Sequence, residues 1–187
     1  MSVFSAKMIS MFDDYARSIE ERLRIAFPLS PISRSEIIPY QARDQKFADQ
    51  VRDFIQGKKW DEIDLKSISN VFYDDRVSVL YFLGWNARRL LIPAMISMCL
   101  DGYRTYDIVL ETVAVIMLNP TQEDDESYTA DDWVRSFSKQ QIAVIIDFIV
   151  FMKADFLNIY LGTAFSGDFS IWVKEIDRQN ADLLAHS

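Results

Sequence analysis

The sequence predicts an all-α protein, a single-domain bundle of seven to eight helices around a central buried helix at about residues 138–161. That stretch (SKQQIAVIIDFIVFMKADFLNIYL) is apolar on nearly every helical face, which is typical of a helix packed against several neighbours. Elsewhere, apolar residues recur every three or four positions. Because the 187 residues contain no long linker, we expect one domain over residues 1–187.

The first two helices are predicted from their apolar spacing and from the residues that end them. Apolar residues three and four apart form one face of residues 3–27. Pro28 and Pro31 end this helix, since proline interrupts helical hydrogen bonding. A second amphipathic helix is expected at residues 43–55, and Gly57 is its C-terminal stop.

The middle of the chain holds one ambiguous segment between two predicted helices. Asp64 is placed to cap a short helix at residues 65–72. Residues 77–83 (VSVLYFL) have the composition of a strand. A lone strand would have no partner in this sequence, so we favour a helix or an extended packing segment. Residues 86–100 form the next predicted helix, which Pro93 is expected to kink.

The second half of the chain predicts four further helical elements. A nearly all-apolar helix is expected at residues 106–118, followed by a short turn that carries Trp133. Ser138 and Gln141 match a capping box at the start of the central helix. The last helix begins at Asp168. Its predicted inward face consists of Phe169, Trp172, Val173, Ile176 and Leu183.

Most arrangements for catalysis are missing from the sequence. The single histidine, His186, is next to last, which excludes a Ser-His-Asp triad, a Cys-His dyad and a histidine-based metal site. None of the five glycines belongs to a phosphate-binding loop pattern. Cys99 has apolar neighbours, as a buried thiol would. We therefore predict no enzyme activity and no cofactor.

Negative charge is concentrated in one stretch, residues 119–134, which we name the acidic segment. The net charge is -8, and six of these charges come from the acidic segment, which contains no lysine or arginine. It lacks the alternating acids and the turn glycine of an EF-hand. It would repel phosphate backbones, so nucleic acid is not an expected partner. A solvated loop, a docking surface for a basic partner and a divalent-cation site are the three interpretations, and we predict no metal site.

Two other features each allow two interpretations. Pro93 beside Arg88 and Arg89 fits either an anion pocket at a helix kink or ordinary helix packing with the arginines paired to surface acids. Trp60 fits either a binding aromatic or a plug at the edge of the core. We favour the packing interpretation for both.

Four short motifs are spread along the chain between residues 26 and 152. They are AFP at 26–28, an FxxGKxW-like run at 54–60, RLLIPA at 89–94 and an FxxxQxxAIxxFL-like helix start at 137–148. Together they resemble a mostly bacterial family catalogued as a domain of unknown function. The third motif of that family is closer to RYYLPA, and this chain differs from it at residues 90–92. The resemblance implies no activity.

The favoured function is that of a non-catalytic protein-binding module, a bacterial immunity protein that neutralises a toxin through an acidic surface. Small size, the acidic segment and the lack of a catalytic constellation favour it, because such inhibitors set carboxylates against basic clefts. The expected partner-binding residues are Glu123, Asp124, Asp125, Glu126, Tyr128, Asp131, Asp132 and Trp133. Tyr128 and Trp133 are the expected aromatic anchors.

Location and the alternative functions follow from the same composition. No apolar run reaches the ~20 residues that cross a bilayer, and the N-terminus lacks a signal-peptide pattern, so we expect a cytoplasmic protein without membrane contact.

One alternative function is that of a small carboxylate-based enzyme, which requires buried acids with raised pKa values. The other is a self-associating scaffold whose last helix exposes Phe and Trp side chains.

Overall fold

The computed structural model confirms the all-α class. It describes residues 3–34, 37, 45–72, 85–102, 113, 116–117, 129–153 and 169–185, and these contain no strand. Within them lie α1 (Val3–Ala26), α2 (Gln45–Ile55), the 3₁₀ turn Trp60–Glu62, α3 (Leu65–Phe72), α4 (Trp85–Gly102), α5 (Ala130–Arg135), α6 (Lys139–Met152) and α7 (Ser170–Ala185). None of these helices has the length and apolar character needed to cross a membrane. The ambiguous segment 77–83 and most of the predicted helix at 106–118 lie outside the described residues.

Two helix starts are fixed by reciprocal caps at positions where the sequence predicts a cap. At the start of α6, the Ser138 N–H donates to Gln141 Oε1 at 3.0 Å, and the Gln141 N–H donates to Ser138 Oγ at 3.3 Å. Before α3, the Ser67 N–H donates to Asp64 Oδ1 at 2.6 Å, and the Asp64 N–H donates to Ser67 Oγ at 3.0 Å. Each cap satisfies N–H groups that have no partner inside the helix.

The loop that follows α1 is tied to the end of α2 by two backbone hydrogen bonds. The Ile32 N–H donates to the Lys58 carbonyl, and the Gly57 N–H donates to the Ile32 carbonyl, both at 2.9 Å. Gly57 has a φ of 76°, a conformation that glycine adopts without steric cost. The predicted stop of α2 at this glycine is therefore confirmed, and the pairing brings residues 28–32 next to the Trp60 turn.

Helices α1 and α6 pack against each other in opposite directions. Gln141, in the first turn of α6, donates to the carbonyl of Ala26 at the end of α1 at 3.2 Å. Tyr15, in the middle of α1, lies edge-on to Phe151 near the end of α6, with 5.7 Å between ring centroids. The start of α6 is thereby placed at the end of α1.

Helix α6 is buried along its length but not around its whole circumference. Its buried side chains are Ile142, Val144, Ile145, Phe148, Ile149, Phe151 and Met152. On the other side Val150 is 56% exposed, and Lys139 and Gln140 are also exposed. The described helix ends at Met152, and residues 154–161 lie outside the described residues. The prediction of a fully enclosed central helix over residues 138–161 is therefore not confirmed.

Phe137, between α5 and α6, is the point at which four parts of the chain meet. Its ring centroid lies 5.2 Å from that of Trp133 in α5 and 5.5 Å from that of Trp172 in α7. Phe27, just after α1, lies 6.4 Å away in an edge-to-face arrangement. Phe137 is itself only 2% exposed. This aromatic cluster holds α5, α7 and the end of α1 around the start of α6.

Candidate functional site

The last five residues of the acidic segment, 130–134, lie in α5. Asp131 is exposed there. Asp132 is half-buried, and its carboxylate accepts hydrogen bonds from the Thr129 hydroxyl at 2.6 Å and the Thr129 N–H at 3.0 Å. The hydroxyl hydrogen bond is the main reason why the pKa of Asp132 is lowered. The remaining predicted contact residues except Trp133, namely Glu123, Asp124, Asp125, Glu126 and Tyr128, lie outside the described residues.

The structure corrects the prediction that Trp133 is an exposed aromatic anchor. Its side chain is 0% exposed and packs edge-on against Phe137. A ring so fully enclosed has no surface to offer a partner. Trp133 instead packs α5 against the core, so the last two residues of the acidic segment, Trp133 and Val134, are both buried.

The aromatic residues that the scaffold alternative requires on the surface of the last helix are likewise buried, one just before α7 and one within it. Phe169 is 5% exposed, and Trp172 is 0% exposed. The Trp172 indole N–H donates to the Met117 carbonyl at 3.2 Å. The expectation of an exposed aromatic face on this helix is therefore wrong, because these two rings belong to the core.

A buried carboxylate, that of Glu175, lies on the side of α7 that faces α5. It is 6% exposed and accepts two hydrogen bonds from Arg178, at 2.8 and 2.5 Å, and one from Gln179 at 3.0 Å. Arg135 of α5 approaches it at 4.0 Å. The Arg178 hydrogen bonds are the main reason why the pKa of Glu175 is lowered, although burial opposes them. A catalytic acid would need the opposite shift.

Replacing Glu175 by glutamine is expected to destabilise the protein near neutral pH by about 2 kcal/mol, because hydrogen bonds to charged groups are lost. Since folding lowers the pKa of Glu175, its contribution is present above the unfolded value of about 4.3 and is lost as the pH falls through the folded value. Urea unfolding near neutral pH and at about pH 3 should therefore show the difference between the native protein and the variant shrinking in acid. The exposed neighbour Asp177, changed to asparagine, is the control. A Glu175→Gln difference that does not change with pH would contradict this account.

A cavity of about 300 Å³ lies between the end of α1, the Trp60 turn, α4 and the start of α6. Its lining residues are Phe27, Pro28, Ser30, Pro31, Ile32, Trp60, Arg89, Leu90, Pro93, Phe137 and Gln141. Pro28, Ser30 and Pro31 are exposed, so the cavity is accessible from the solvent beside this loop. We name it the Arg89 cavity.

Two hydrogen bonds to the C-terminal end of α1 hold the walls of the Arg89 cavity in place. The Trp60 indole N–H donates to the Phe27 carbonyl, and Gln141 Nε2 donates to the Ala26 carbonyl, both at 3.2 Å. Carbonyls at a helix end lack partners within the helix, so these side chains satisfy groups that would otherwise need water. Trp60 is 3% exposed, which confirms its predicted place at the edge of the core. Its ring also forms part of the cavity wall.

Arg89 is the one charged residue among the described residues that line the cavity. Its guanidinium carbon lies 5.9 Å from the centroid of the Phe137 ring, a cation–π contact. No carboxylate in the described part of the chain forms an ion pair with Arg89. Arg24 differs, because it stacks on Trp60 at 5.7 Å and also pairs with Asp61 at 2.9 Å. Arg88 is buried and does not line the cavity.

The Arg89 cavity unites residues from all four motifs noted in the sequence. They are Phe27 and Pro28, Trp60, Arg89 and Pro93, and Phe137 and Gln141. The sequence signal for it is Pro93 beside two arginines. The favoured packing interpretation pairs these arginines with surface acids, whereas Arg89 forms no ion pair with a carboxylate of the described residues. The structure places one of those arginines at a cavity with three prolines in its lining.

Comparison with known proteins adds no relative. No family model, no curated protein and no solved structure matches the chain. The resemblance to a bacterial family of unknown function therefore stays a prediction. Within the described residues, no group of three or more His, Cys, Asp or Glu side chains is arranged to hold a metal ion.

Proposed function

We propose that the protein is a non-catalytic protein-binding module, a bacterial immunity protein that neutralises a toxin by setting the acidic segment against a basic surface of that toxin. The observation that carries the proposal is the presence of six acids and no cation in residues 119–134. Grouped carboxylates speed the encounter with a cationic partner and form charge pairs across the interface. The proposal places the protein in the bacterial cytoplasm.

The attachment of α5 supports the use of this segment as a contact surface. Trp133 and Val134 are buried directly after Asp131, which is exposed. Arg135 lies near the buried Glu175 of α7, which adds a second connection. A segment whose end is already fixed loses less conformational entropy when a partner orders it. The burial of Trp133 and Val134 therefore supports the proposal that the acidic segment is a contact surface.

The test is to reverse the charge of Asp124, Asp125 and Glu126 to lysine. The partner is the protein encoded next to this chain, and affinity is measured at about 0.05 M and about 0.5 M salt. We expect the variant to bind at least about 30-fold more weakly at low salt, since three attractive pairs become repulsive. Its affinity should also depend less on salt, because fewer opposite charges meet across the interface.

A matched control reverses three exposed acids elsewhere: Glu21 in α1, Asp53 in α2 and Asp177 in α7. It changes the net charge by the same amount, so we expect an affinity within about threefold of the native protein. Equal losses in the two variants would show that total charge, not the acidic segment, drives binding. A native protein that does not bind the neighbouring gene product would refute the immunity function.

A further inference from the structure

The geometry points to a second binding site: we infer that the Arg89 cavity binds a small monocarboxylic acid with an apolar body. This site is separate from the acidic segment and does not rest on the toxin-binding proposal. Three features carry the inference, namely the charge of Arg89, the apolar walls and the size of the space. Each sets one property of the occupant.

The positive charge of Arg89 indicates that the ligand carries an anionic group. A guanidinium presents its N–H donors in a planar fork that matches a carboxylate. Arg89 makes a cation–π contact with Phe137 but no ion pair with a carboxylate of the described residues, so it can receive an anion from solution. The nearby Arg24 is already paired with Asp61. One available cation balances one negative charge, which favours a carboxylate over a dianionic phosphate.

The side-chain amide of Gln141 also lines the cavity, but it is already hydrogen-bonded within the protein. Its Nε2 donates to the Ala26 carbonyl and its Oε1 accepts from the Ser138 N–H. Its amide is therefore engaged in holding the ends of α1 and α6. Among the described lining residues, Arg89 is thus the charged group that would pair with an anionic ligand.

The apolar walls and the volume of the cavity indicate that the rest of the ligand is apolar and small. Phe27, Trp60 and Leu90 contribute apolar surface, and three prolines stiffen the lining. Proline has a fixed φ, so the backbone at these positions has little conformational freedom to lose when a ligand binds. The volume of about 300 Å³ lies at the small end of the range for ligand pockets. A compact apolar acid fits these limits, whereas a folded partner would not enter.

The test compares 3-phenylpropanoate with its neutral amide, 3-phenylpropanamide, by calorimetry near neutral pH on the full chain. We expect the acid to bind at a single site and the amide to bind at least about tenfold more weakly, because only the acid pairs with the guanidinium. Equal binding of the two probes, or no saturable binding of the acid, would overturn the inference. A tetrapeptide ending in phenylalanine is a further probe. If the tetrapeptide binds more weakly than 3-phenylpropanoate, the result supports a small ligand. If it binds more tightly, the site would instead be assigned to a polypeptide C-terminus.

Substitutions of Arg89 test whether its guanidinium binds the carboxylate of the acid. Arg89→Gln should lower affinity for the acid at least about tenfold and leave the amide within about twofold. Arg89→Lys keeps the charge but loses the planar fork of N–H donors, so its affinity for the acid should lie between those of the native protein and Arg89→Gln. Arg17→Gln is the control, since it removes an equal charge from an exposed site on α1 that pairs with Asp14. Full affinity for the acid in Arg89→Gln, with a native circular dichroism spectrum, would overturn the assignment.

Discussion

Replacing Trp172 by alanine is expected to lower the free energy of unfolding by about 3–5 kcal/mol. Trp172 is 0% exposed, so the truncated side chain would leave a space that its surroundings fill only in part. The Met117 carbonyl would also lose the indole N–H that it accepts at 3.2 Å. A domain of this size is stable by about 5–15 kcal/mol, so urea unfolding should show a large shift of the midpoint.

The neighbouring Val173 is the control for Trp172. Its side chain is 48% exposed, so alanine there is expected to change stability by less than about 1 kcal/mol. Equal destabilisation by the two substitutions would contradict the orientation of α7. The comparison is informative because apolar spacing alone predicts that both residues face inward.

Local signals predicted much of the fold because they act over a few residues. The capping box of Ser138 and Gln141 and the cap at Asp64 depend only on the order of side chains around a helix start. The stop at Gly57 depends on one positive φ angle. These features could be located in the sequence without knowing which helices pack together.

Burial was predicted less well because it depends on the position of neighbouring helices. Val173 and Val150 have apolar side chains but face solvent, since no described helix covers those sides of α7 and α6. Trp133 is predicted to be an aromatic anchor of the partner contact, yet it is buried in the aromatic cluster around Phe137. Residue type in a short window does not determine which side of a helix meets the core.

The full lining of the Arg89 cavity could not be predicted, because its residues come from four separate parts of the chain. Arg89 itself belongs to a suggestive sequence, with Pro93 one turn further along α4. The loop at residues 28–32 joins it only because Ile32 exchanges backbone hydrogen bonds with the end of α2. Gln141 joins it because α6 begins where α1 ends. Contacts of this kind follow from packing and leave no trace in local spacing.

Replacing Trp133 by alanine is expected to lower the free energy of unfolding by about 3–5 kcal/mol, since this ring too is 0% exposed. An exposed anchor would behave in the opposite way, because its loss would weaken partner binding and leave stability unchanged. Urea unfolding of the isolated protein separates the two accounts. Asp131→Ala, two residues earlier and exposed, is the control and should leave stability within about 0.5 kcal/mol.

Replacing Trp133 or Trp172 by phenylalanine should destabilise the protein by different amounts. The Trp133 indole nitrogen is buried and has no hydrogen-bond acceptor among the described residues, so Trp133→Phe removes ring surface and an unsatisfied donor together. Trp172→Phe removes a donor that the Met117 carbonyl uses. We therefore expect Trp133→Phe to destabilise the protein by at least about 1 kcal/mol less than Trp172→Phe, because only the second leaves a buried acceptor without its partner. A larger loss for Trp133→Phe would mean that its N–H has a partner in the folded protein, and the packing of α5 would have to be revised.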